Sequence, residues 1–119
     1  MSMPCVIWAV NGKEYRLRLT TFNSIQVEKQ LGMGMTEAVN RLMDSTVIIT
    51  ILWGALQPYN HGMNFREVCD LYDEYIAAGG SAEKIVDVIL KLLAQVGIGD
   101  TESTEKNAVS QAEAPLTEA

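Results

Sequence analysis

A chain of 119 residues, 48% hydrophobic and 20% charged, has the length of one domain and enough apolar material for one core, which excludes disorder of the whole. The formal charge of −6 is uneven, because residues 98–119 hold Asp100, Glu102, Glu105, Glu113 and Glu118 against Lys106. Nowhere do Lys and Arg cluster as binding to a phosphate backbone requires, so nucleic acid is excluded as a partner, and the longest apolar run, Val47 to Leu56, is too short to span a membrane.

The N-terminus, Met1 to Cys5, lacks the basic segment and apolar run of a secretory signal. Cys5 and Cys69 make no disulfide framework, so a reducing cytoplasm is the expected setting. Asn11-Gly12 between two strand-forming runs predicts a type I′ hairpin turn. Counting outward pairs Val10 with Lys13, Trp8 with Tyr15 and Val6 with Leu17. Val6, Trp8, Tyr15 and Leu17 then share one side, and Glu14, Arg16 and Arg18 the other. A lone two-stranded ribbon is marginal in water, so its apolar side must lie against helices or pair with strands of another chain.

After Leu19 the pattern becomes helical. Thr20, Thr21 and Asn23 offer caps, and Gly32 a left-handed stop, for a first helix over Phe22–Leu31. A second, short helix is expected after Thr36, carrying Ala38, Val39, Leu42 and Met43. From Ser45 to Gln57 nearly every side is apolar, so this segment reads as an enclosed central helix, with Trp53 in its interior. A buried strand is the alternative. The fourfold spacing of Thr46, Thr50 and Gly54 suits a helix with a small-residue groove better, and Pro58 ends it.

Asn64 with Glu67 forms a capping-box pattern for a helix presenting Phe65, Val68, Leu71, Tyr72, Tyr75 and Ile76, closed by Gly79-Gly80. Ser81 caps the last helix, whose apolar stripe runs from Ile85 through Val88, Ile89 and Leu92 to Val96 before Gly97. The fold class is therefore mainly α: an N-terminal β-hairpin and about five helices over residues 1–97, then a flexible acidic tail over 98–119.

Candidate chemistry is sparse. His61 stands in a polar loop without an evident orienting partner, and Cys5, His61 and Cys69 lack the spacing of a zinc site. Glu67, Asp70, Asp73 and Glu74 read as a solvated acidic face, since no second helix offers a matching carboxylate and histidine pair. Gly32-x-Gly34 and Gly97-x-Gly99 each follow a helix, so they read as helix stops and not as phosphate loops. The expectation is a protein that is not an enzyme and holds no cofactor or metal.

Four segments carry a family resemblance: Tyr15 to Thr20 ending the hairpin; Ile25, Glu28 and Leu31-Gly32 in the first helix; Leu52 to Gln57; and Phe65 to Leu71. Together they resemble the tail assembly chaperones of long-tailed bacteriophages, prophages and gene transfer agents. The chain departs from that pattern at Val27, where leucine is usual, and in its Met33-Gly34-Met35 link. The resemblance implies a chaperone of the bacterial cytoplasm that binds the tape-measure protein during tail tube assembly and is not expected in the mature virion. It also implies a frameshifted longer form that recruits tail tube protein. Such a binder needs adaptable apolar surface, for which Met33, Met35, Met43 and Met63 are candidates, with core gap-filling as the equal alternative. The hairpin's Trp8, Tyr15 and Leu17 are the other partner-binding candidates, and a homo-oligomer joined at the hairpin is expected. A small structural virion subunit, such as a tail completion or connector protein, is the competing reading.

Overall fold

The computed structural model describes residues 5–98. Asn11 and Gly12 adopt φ of 51° and 83°, the positive pair a type I′ turn requires, and they join β1 (Val6–Val10) to β2 (Lys13–Leu17) in the predicted register. Trp8 is 2% exposed and Leu17 fully buried. The Trp8 ring meets Tyr75 edge-on at 5.5 Å and lies 6.2 Å from Tyr15. The apolar side of the ribbon is therefore covered by the chain's own helices, and pairing with strands of another chain is not what buries it.

Five helices follow among the described residues: α1 (Thr21–Leu31), α2 (Met35–Val39), α3 (Ser45–Leu56), α4 (Phe65–Ala77) and α5 (Ala82–Gln95). Helix α3 is the axis of the fold. It packs on α1, α4, α5 and β2, and its Val47–Leu56 stretch is buried except for Trp53. The strand alternative is thus eliminated, but Trp53 is only half-buried and borders solvent, contrary to the expectation of full enclosure. Thr50 is buried because its hydroxyl donates to Thr46 O at 2.6 Å. At Gly54 a Cβ would run into Val27 Cγ2, so the missing side chain lets α1 cross α3 closely.

Helix α2 begins at Met35, with Gly34 as its N-cap, and not after Thr36, and it ends at Val39, leaving Leu42 and Met43 in the following turns. The backbone N–H of Met35 donates to Glu28 Oε2 at 2.8 Å, so a carboxylate seven residues upstream takes the role expected of a local hydroxyl. Elsewhere the cap signals hold. Asn64 Oδ1 accepts from Glu67 N and Glu67 Oε1 accepts from Asn64 N, both at 2.8 Å. Ser81 Oγ accepts from Lys84 N.

Helix α5 closes through Gly97 at φ 76°, with Ile98 N donating to Leu93 O at 2.9 Å. Ile98 packs on the core, so the folded body reaches one residue beyond the expected boundary at 97. The expected acidic tail otherwise lies outside the described residues. Gln95 Oε1 accepts from Leu19 N at 2.8 Å and ties the end of α5 to the approach to α1. No helix among the described residues is long and apolar enough to cross a membrane.

Candidate protein-docking groove

Helix α1 is packed in an unusual sense. Its N-cap is Thr20, whose hydroxyl accepts from Asn23 N at 3.1 Å and donates to Asn23 Oδ1 at 2.6 Å. With about 100° between successive residues, Asn23, Ser24 and Val27 fall on one face, and that face is buried toward α3. Phe22 and Ile25, the larger apolar residues, fall on the other, 68% and 44% exposed. The inward side thus mixes Asn23 and Ser24 with Val27 and half-buried Leu31, while the larger Phe22 and Ile25 stay outside, so the helix is apolar on two sides.

Beside this outward face lies a groove of about 450 Å³, lined by α1 (Phe22, Asn23, Gln26), by the end of α3 (Trp53, Gln57) and by Pro58 and His61 of the next loop, with Thr20 at its edge. Gln57 Nε2 fixes the loop wall by donating to Trp53 O at 3.0 Å and to Met63 O at 2.8 Å. The lining is aromatic, prolyl and amide, with no Lys, Arg, Asp or Glu. Such a surface suits an apolar segment of another chain, whose side chains bury against Phe22 and Trp53 while the amides meet exposed backbone. Arg16 stacks over the half-exposed ring of Tyr59, next to Pro58, at 5.9 Å. Comparison with protein families, curated proteins and solved structures finds no match.

The residues expected from sequence to bind partners are dispersed. Trp8, Leu17 and Met35 are core residues, so in this fold their apolar surface is already covered. Tyr15 and Met33 are half-buried against that core. Met43 is 58% exposed, in the turns before α3, and Met63 is half-buried behind the groove's loop. His61 lies on the groove rim, exposed and outside any catalytic pairing with a described side chain. Among the described residues no group of three His, Cys, Asp or Glu is placed to hold a metal. Within the acidic helix face, Glu67 belongs to the capping box, Asp70 pairs with Arg66 at 3.3 Å, and Glu74 accepts weakly from Asn11.

Sequence reading missed Phe22 and Ile25. The available signal was that α1 has two apolar sets, Phe22 with Ile25 and Val27 with Leu31, on opposite sides of one helix.

Proposed function

We propose that this protein is a non-enzymatic binding factor that takes an apolar segment of a longer chain in the groove between α1 and α3. Within the resemblance drawn from its sequence, the role is that of a tail assembly chaperone. Its client is then the tape-measure protein, kept soluble in the bacterial cytoplasm until the tube forms around it, with tail tube protein recruited through an extended form. The observation that carries this reading is Phe22, 68% exposed on the rim of a groove floored by Trp53. An isolated surface apolar residue is ordinary, but an aromatic pair along an uncharged groove is the anatomy of a hot spot.

The test is co-expression with a tape-measure chain. Wild type should hold the client in the soluble fraction. Phe22→Glu with Ile25→Lys should keep the same circular dichroism and melting temperature yet lose the client, because both positions face outward. Retention of the client by that variant would reject the groove. A second reading, a virion connector, is favoured by the hairpin, a two-stranded sheet in which both strands are edges able to accept a neighbour's strand. Presence of the chain in purified particles would select it.

A further inference from the structure

The chain leaves β2 as an extended segment whose side chains alternate. Leu17 and Leu19 are buried, while Arg16, Arg18 and Thr20 fall on the opposite side. Thr20 rims the groove between α1 and α3, and Arg16 stacks over Tyr59, the residue after the groove's Pro58. Two arginines thus stand where the groove meets the hairpin. Neither is ion-paired among the described residues. Arg18 is half-buried, and its Nε is shut off from solvent with no hydrogen-bond partner among the described residues, although a guanidinium N–H removed from water needs an acceptor. Glu14, two residues before Arg16 on the same side of β2, is exposed and pairs with neither arginine. Lys29 differs from the two, for it lies in the last turn of α1, where a cation answers the helix's own carbonyls.

We propose that Arg16 and Arg18 bind a carboxylate adjoining the apolar stretch held in the groove, so that the segments this protein selects are apolar runs bordered by Asp or Glu. The inference rests on the groove reading and adds the chemistry of the groove's occupant. The groove lining is uncharged, so its apolar contacts alone carry no preference for charge. The arginines supply one. A carboxylate's two oxygens match the planar fork of a guanidinium, and a charge-assisted bond gives Arg18 Nε an acceptor, which no described residue provides. Arg16 is already steadied on the Tyr59 ring, so it loses less freedom when it pairs. A client bordered by Lys or Arg would set like charges against the pair and is selected against.

The experiment is fluorescence anisotropy, with the full chain titrated into dye-labelled synthetic peptides. Three peptides share one core of Leu, Ala and Phe and differ only in the two residues at each end, which are Glu, Gln or Lys. The Gln-flanked peptide should bind, the Glu-flanked one about tenfold tighter at low salt with the gap closing as salt rises, and the Lys-flanked one more weakly. Arg16→Gln with Arg18→Gln should lower the Glu-flanked affinity to that of the Gln-flanked peptide, whose own affinity stays as in wild type; damage to the fold would instead weaken both. Because Arg16 is exposed, Arg16→Gln alone should keep the wild-type melting curve and still lose part of the preference. Equal affinity of wild type for the Glu- and Gln-flanked peptides, or a preference that survives both arginine variants, would overturn the proposal and leave the groove standing. Phe22→Glu with Ile25→Lys scores the groove by itself and should lose all three peptides. Full binding by that variant, or no binding of any peptide by wild type, would reject the groove and the proposal with it.

Discussion

At the α1–α3 crossing a Cβ on residue 54 would clash with Val27 Cγ2 and sit 3.4 Å from Asn23 O. Gly54→Ala should therefore destabilise the fold although alanine favours helix by about 1 kcal/mol, because overpacking a close crossing costs about 1–3 kcal/mol. A lowered urea midpoint at unchanged slope is the expected result, larger for Gly54→Val, and an unchanged midpoint would mean that α1 does not approach so near. Tyr72 gives a second residue-level expectation. Burial, with the nearby Tyr75 and Glu83, raises its phenol above the ordinary 10.0, so the fold favours the protonated form. That stabilisation is fully present below the unfolded pKa near 10.0 and is lost as pH rises through the higher folded value. Wild type should lose more stability than Tyr72→Phe between about pH 9 and 11; parallel losses in the two proteins would remove Tyr72 from the account.

Among the elements, α2 is the one whose start depends on a distant residue. Five residues make no stable helix alone, and the N-cap Gly34 has no side chain to offer. Glu28→Ala should cost about 1–2 kcal/mol through loss of the bond to Met35 N, with Glu28→Gln retaining part of it. Thermal melting measures this, and an alanine variant as stable as wild type would show that α2 is held by Met35 and Ala38 packing alone. The contrast explains what sequence disclosed. The hairpin register, the Asn64–Glu67 box and the Ser81 cap were legible because each is local, written within four residues. The start of α2 was not, since nothing at Gly34 points back to Glu28. Nor was the outward turn of Phe22, because a helix with apolar residues on two sides can bury either. Here the choice is made by Gly54 on another helix, which admits Val27 closely and leaves Phe22 outside. The burial of the partner-binding candidates Trp8 and Leu17 was hidden for the same reason: the sequence shows an apolar ribbon face, and only the packing of α3, α4 and α5 shows what covers it.

For the whole molecule, the folded body is closed by the turn that brings Ile98 back to Leu93 and by Gln95 at Leu19. A chain cut after Ile98 should melt within about 0.5 kcal/mol of the full protein, because the sequence of residues 99–119 has no periodic apolar pattern. A cut after Gln95 should lower the midpoint measurably, as it removes Ile98 and half-buried Val96. Equal melting of all three chains would refute the closure. The outward placement of Phe22 and Ile25 on α1 bears on heredity. Its attachment rests on Asn23, Ser24, Val27 and the bare backbone at Gly54, while the side chains a partner would touch contribute little to that attachment. Substitutions at Phe22 and Ile25 can accumulate with scarcely any penalty in folding. A lineage of such proteins is then free to exchange one partner for another through those positions, while an unvarying Gly54 and Val27 preserve the frame.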